Sequence, residues 1–176
     1  MRKSLVFAVA ALSTAGIAAI VPTSANAAST TVTFTLTGGS LTLSAPASAS
    51  LSTGALAVGG TSVTGALGSS TVSDTRGALT HTVTVTMASG DFTDGAGDTV
   101  AQTNATGSSG AATVSGVAVA VPTVTGQALS GAGSSILSLT SVVGSASATY
   151  SPTVTVAIPG NAVAGNYSGT VTQTAS

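Results

Sequence analysis

Charge is almost missing from this chain of 176 residues, which holds three basic and four acidic side chains. An ordinary soluble domain carries roughly a quarter. Glutamate, cysteine and tryptophan are absent, and His81 is the only imidazole. Without cysteine there is no disulfide framework, no thiolate nucleophile and no lipid attachment through sulfur. Without glutamate, and with Asp91, Asp94 and Asp98 crowded into one short stretch, little remains to build a carboxylate pair across a glycosidase cleft. A nucleophilic triad needs Ser, His and Asp to converge. Serine is plentiful, but no Gly-x-Ser-x-Gly elbow accompanies His81. The composition therefore points away from an enzyme, and no cofactor is expected.

The remaining basic charge is placed at one end. Arg2 and Lys3 precede a mostly apolar run over residues 5–21, Pro22 stops any helix there, and Ala25-Asn26-Ala27 has a small-x-small pattern. These three parts make residues 1–27 a secretory signal peptide, cleaved after Ala27. Ser13 and Thr14 interrupt the apolar run, which is short for a membrane-spanning helix. The expected mature protein, residues 28–176, is secreted and extracellular, free of the membrane once the signal is removed. Its charged residues are then Arg76 and the aspartates at 74, 91, 94 and 98. That excess of negative charge argues against nucleic acid as a partner.

The body of the chain alternates with period two. Residues 31–37 read Thr-Val-Thr-Phe-Thr-Leu-Thr, with Val32, Phe34 and Leu36 on one face and threonines on the other. Such alternation predicts a half-buried strand. Gly38-Gly39 breaks the pattern, Leu41 and Leu43 restart it, and it returns over 80–87, 153–158 and 167–172. Further strands are expected within 61–67, 70–73, 99–103, 112–121 and 135–143. Clusters such as Gly59-Gly60, Gly95-Ala96-Gly97 and Gly107-Ser108-Ser109-Gly110 supply turn chemistry between them. No window holds a long helical stripe with caps. Eight to ten short strands predict a single all-β domain, an antiparallel β-sandwich of Ig-like, Greek-key type, over residues 28–176. Threonine, β-branched and polar, then forms an outer face that needs no charge.

Two places could carry chemistry. His81 shares parity with Val83, Val85 and Met87, which aims it at the core side at one end of its strand. Asp91, Asp94 and Asp98 lie in a glycine-rich loop that could wrap a hard cation such as Ca²⁺. Their spacing departs from an EF-hand loop and no bidentate Glu follows, so the bland reading is a hairpin loop using Asp and Gly for turn geometry. No resident metal is assigned.

One segment is more specific than the rest. Tyr150-Ser-Pro-Thr-Val-Thr-Val-Ala-Ile-Pro-Gly-Asn-Ala-Val-Ala-Gly-Asn-Tyr-Ser-Gly-Thr-Val-Thr gives a strand, a Pro-Gly turn, a short loop and a return strand opened by Gly-x-Tyr. Tyr150 shares parity with Val154, Val156 and Ile158 and so continues their buried row. This stretch resembles the C-terminal half of the WxL-type cell-surface domain of Gram-positive bacteria, in particular its actinobacterial relatives. Leu36-Thr-Gly-Gly-Ser-Leu-Thr-Leu-Ser-Ala-Pro-Ala-Ser-Ala and Val72-Ser-Asp-Thr-Arg-Gly-Ala-Leu resemble the same family. The resemblance implies a secreted β-sandwich held non-covalently at the cell wall, with peptidoglycan or other wall polysaccharide, or other surface proteins, as partners. The two Trp-x-Leu motifs that name the family are missing here; by their flanking residues His81 stands near the first and Tyr150 near the second. The resemblance thus makes His81 and Tyr150 the ligand-binding candidates. The competing expectation is a self-assembling fibre or coat subunit, because uncharged strand edges are templates for pairing between chains, and residues 31–37 could be donated to a neighbour.

Overall fold

The computed structural model describes residues 31–51, 61–122 and 125–176. The expected signal peptide and the Gly59-Gly60 turn lie outside the described residues. Leu36–Ser176 forms one compact unit; Met1–Thr35 is a separate one, of which residues 31–35 are described.

Alternation becomes strand almost everywhere it occurs. Among the described residues the strands are β1 (Leu41–Ser44), β2 (Ser62–Ala66), β3 (Ser70–Ser89), β4 (Phe92–Thr93), β5 (Thr99–Val100), β6 (Ala105–Ser108), β7 (Ala112–Pro122), β8 (Gln127–Ala128), β9 (Ser134–Tyr150), β10 (Thr153–Ala157) and β11 (Val171–Ala175). Among the described residues helix is confined to one 3₁₀ turn at Gln102–Asn104, and no helix of these residues is long and apolar enough to cross a membrane. The larger sheet runs β1-β3-β9-β7, with β11 also on β3; the second runs β2-β10-β6-β8; β4 and β5 form a small hairpin. Every pairing is antiparallel. The two main sheets pack face to face, an all-β sandwich.

The core is the sum of the inward rows. Val83, Val85 and Met87 of β3 and Leu137 and Leu139 of β9 meet Val154 and Val156 of β10 and Ala105 of β6, all buried. Full burial of one Val, Leu or Met side chain is worth roughly 1.5–3 kcal/mol. These rows therefore supply the main force holding the sheets together. On the outward rows, hydroxyls bond across strands: Thr64 Oγ1 to Thr155 Oγ1 at 2.7 Å and Thr71 Oγ1 to Thr149 Oγ1 at 3.2 Å.

The larger sheet bends along one line. Gly77 in β3, Gly144 in β9 and Gly116 in β7 all have positive φ, and Ser141 of β9 shares that conformation at φ 54°. The register slips there, between Asp74 and Ala78 and between Gly116 and Val117. Bulges of this kind insert a residue and bend the strand. At the bend β3 leaves the core: residues 75–80 are exposed, while Val72 and Asp74 before it and Val83 after it are buried.

Several expectations need correction. The strongest alternation, residues 31–37, is not a strand; Val32, Phe34 and Leu36 are 80%, 81% and 86% exposed. Alternation gives a segment two faces, but a strand exists only where a neighbour accepts its hydrogen bonds. The segments expected at 70–73 and 80–87 are one strand bent at the bulge. Tyr150 closes β9, and its burial alongside Val154 is shared across the Ser151-Pro152 turn between two sheets. The 167–172 strand begins only at Val171, with Ser168 making a single bridge to Thr93. Gly107 and Ser108, expected in a turn, belong to β6 and are buried.

Candidate functional site

The bend in β3 brings together Asp74, Arg76 and His81. Asp74 ends the buried run of β3 with its side chain fully buried. Because the bulge folds the following residues back, Arg76 reaches it from two positions away. The Arg76 backbone N–H donates to Asp74 Oδ1 at 2.9 Å, Nε to the same oxygen at 3.0 Å, and Nη2 to Oδ2 at 2.8 Å. His81 closes the cluster from across the bulge, its Nε2 2.6 Å from Asp74 Oδ2 and its Nδ1 2.8 Å from the Leu79 carbonyl oxygen. A carbonyl and an ionised carboxylate can only accept. With Asp74 ionised, this arrangement favours the ring with both nitrogens donating, in keeping with the raised pKa of His81.

The electrostatics follow from these contacts. The Arg76 guanidinium, with help from His81, holds the Asp74 carboxyl far below the usual carboxylate range, overcoming the opposing effect of burial. Asp74 in turn raises the basicity of Arg76 and, together with the Leu79 carbonyl, that of His81. Both ring nitrogens are engaged within the chain. As arranged, the cluster is a staple across the bulge.

Tyr150 is placed differently from a ligand contact. The ring is 2% exposed, and its hydroxyl donates to Gln173 Oε1 at 2.7 Å. Gln173 Nε2 donates in turn to Ser70 Oγ at 3.3 Å. Burial pushes the phenol up to about 12. Nothing in the sequence pattern marked Gln173, because its partners lie 23 and 103 residues away. Tyr150 and His81 are not brought together: the tyrosine pairs with Ser70 at the start of β3, and His81 faces Val142 beyond the bulge.

Two of the three aspartates around the β4–β5 hairpin, Asp91 and Asp94, turn their carboxylates toward backbone. Asp94 Oδ1 accepts from the N–H groups of Ala96, Gly97 and Asp98 at 2.8, 3.1 and 3.0 Å, and these lower its pKa, Ala96 foremost. Asp91 Oδ1 accepts from Gln102 N–H at 2.7 Å. Among the described residues no three His, Cys, Asp or Glu side chains converge on a point where a metal ion could sit.

A concavity opens into the sandwich. A groove of about 750 Å³ runs between the β1–β11 edge of the larger sheet and β2 and β10 of the smaller one. Leu43, Val63, Phe92, Val156 and Val171 line its floor, and the segments at 45–51 and 162–170 wall it. Tyr167 stands on that wall, its hydroxyl donating to the Val163 carbonyl at 2.9 Å. The lining residues carry no charge, so the groove suits a neutral ligand with apolar and hydroxyl groups. No protein-family model, no curated protein and no solved structure matches this chain.

Proposed function

We propose that this protein is a secreted, non-catalytic module of the bacterial surface that associates non-covalently with cell-wall polysaccharide. One observation carries the reading. The groove is lined without a charged side chain, and the outward rows of β1, β2 and β11 present Thr42, Ser44, Ser62, Thr64, Thr172 and Thr174, so these faces offer hydroxyl and aliphatic groups. Neutral sugar polymers such as the glycan strands of peptidoglycan are recognised through that kind of chemistry. The uncharged groove, with the half-buried Tyr167 ring on its wall, supports such a ligand. Incubation with purified Gram-positive cell wall should deplete the protein from solution, and Tyr167→Ala should weaken the depletion. Protein that stays free at every wall concentration would refute the reading.

A second reading, an extracellular coat or fibre subunit, is favoured by a separate observation. Val32, Phe34 and Leu36 stand exposed on a segment with no strand assignment, an arrangement that costs apolar hydration unless another surface covers it. Electron microscopy of concentrated secreted protein distinguishes the two readings, because monodisperse particles count against assembly.

A further inference from the structure

Two features of the molecule are each incomplete in the same way. Residues 31–37 have the β-branched and aromatic composition of a strand and three apolar side chains at every second position, all more than three-quarters exposed. At the far end of the larger sheet, β7 pairs only with β9, and no strand among the described residues covers its other edge. Its outward row is Val117, Val119 and Val121, which are 61%, 59% and 54% exposed, with exposed Val143 of β9 opposite Val117.

Natural sheets blunt such an edge with lysine, proline or inward charge. Strand β7 has no charged residue, and its only proline is the last residue. The bulges at Gly116–Val117 and Val117–Val119 bend it, but the run from Val119 to Val121 stays open. Other edges of the sandwich differ in chemistry. The outward residues of β2 are Ser62, Thr64 and Ala66, those of β11 are Thr172 and Thr174, and those of β1 are Thr42 and Ser44. Among the described edges, β7 is the one whose outward row is apolar over three successive positions.

Building on the assembly reading, we infer that residues 31–37 of one copy add as a strand to the free edge of β7 in a second copy, setting Val32, Phe34 and Leu36 beside Val117, Val119 and Val121. Each row has three members at period two. Pairing Phe34 with Val119 therefore aligns both rows whether the added strand runs parallel or antiparallel. Aromatic and β-branched side chains facing each other across strands are favourable pairs, and seven residues supply the backbone donors and acceptors that β7 lacks on this side. Donor and acceptor are different surfaces of one chain, so the contact is heterologous. It propagates head to tail into a filament unless the rotation between copies closes a ring.

The absence of native cysteine makes a direct test simple. Phe34→Cys and Val119→Cys are made as separate full-length secreted proteins, mixed and mildly oxidised. A disulfide needs Cα atoms within about 7 Å, so the mixture should give about tenfold more heterodimer than a control in which Ala157→Cys, exposed on the other sheet, replaces Val119→Cys. Val119→Lys should abolish filaments seen by electron microscopy while leaving the melting temperature unchanged, which separates loss of the contact from loss of the fold. Filaments without excess 34–119 cross-linking, or filaments that persist in Val119→Lys, would overturn this interface and leave assembly through another edge standing. Monodisperse particles together with no excess cross-linking would overturn both. A disulfide formed within single chains of the Phe34→Cys/Val119→Cys double variant at high dilution would overturn the role of the second copy.

Discussion

Replacing Tyr150 with phenylalanine removes one oxygen atom from the middle of the sandwich, and the consequences can be worked out from the bonds it makes. The ring is 2% exposed and its hydroxyl donates to Gln173 Oε1 at 2.7 Å. In Tyr150→Phe that amide oxygen loses its donor in a place water reaches poorly. A buried polar group left unsatisfied costs about 1–3 kcal/mol. Gln173 is half-buried and borders the groove, so some rehydration should keep the cost near about 1–2 kcal/mol. For a domain of this size that lowers the melting temperature by about 2–8 °C. Gln173→Met should cost a similar amount, because it leaves the tyrosine hydroxyl without an acceptor. The double variant, with both polar partners gone, should lose clearly less than the sum, giving a coupling of about 0.5–3 kcal/mol. Thermal unfolding of the four proteins by circular dichroism measures the cycle. A second readout is the phenolate absorbance on alkaline titration. The folded pKa of Tyr150 is raised from 10.0 to about 12, so its contribution to stability is complete below pH 10 and is lost as pH rises through about 12. Tyr150→Phe should remove this late-titrating phenol. A single variant that melts with the wild type, or single costs that simply add, would refute the buried Tyr150–Gln173 bond.

Three further outcomes follow from the geometry. Because Asp74 raises the His81 pKa above 6.5, the histidine's contribution is present below that pH and lost as pH rises through the raised value; Asp74, lowered from 3.8, loses its own only as pH falls. The melting temperature should therefore decline as pH rises above about 6.5, and His81→Asn should flatten that slope; an unchanged slope would exclude the staple. Gly144→Ala and Gly116→Ala both place a side chain at positive φ, costing about 1–2 kcal/mol. A Cβ at Gly116 would also lie 2.4 Å from the Ser145 carbonyl oxygen, whereas Gly144 has open space. Gly116→Ala should thus be the worse of the two by about 1–3 kcal/mol in denaturant unfolding, and equal effects would contradict the bulge line. Calcium should leave the melting temperature unchanged, since Asp94 Oδ1 already accepts from three backbone N–H groups; a rise would show the hairpin rearranging around the ion.

Much of the fold was legible because side-chain parity in a strand is a local property. Val83, Val85 and Met87, and Val154 and Val156, announce their inward rows and are buried as read. Strand β6 was not legible. Its residues Ala105, Thr106, Gly107 and Ser108 carry no apolar row, and Gly107 is buried only because Met87 and Leu129 close over it from elsewhere in the chain. The reverse case is 31–37, where the alternation is perfect and the strand is missing, because parity says nothing about whether an edge is available to pair.

The site divides along the same line. Sequence alone determined that charge is scarce, that one histidine and no thiol are present, and that threonine solvates the outer faces, because composition sets which chemistry a chain can offer wherever it folds. The meeting of Asp74, Arg76 and His81 depends on the folded sheet, since a register slip at the bulge brings His81 back to a carboxylate seven residues earlier. Long-range contacts likewise placed Tyr150 against Gln173, and left Val117, Val119 and Val121 exposed on a strand that no other described strand covers on that side. Periodicity fixes what a strand shows on each face; which neighbour covers that face depends on contacts between residues far apart in the chain.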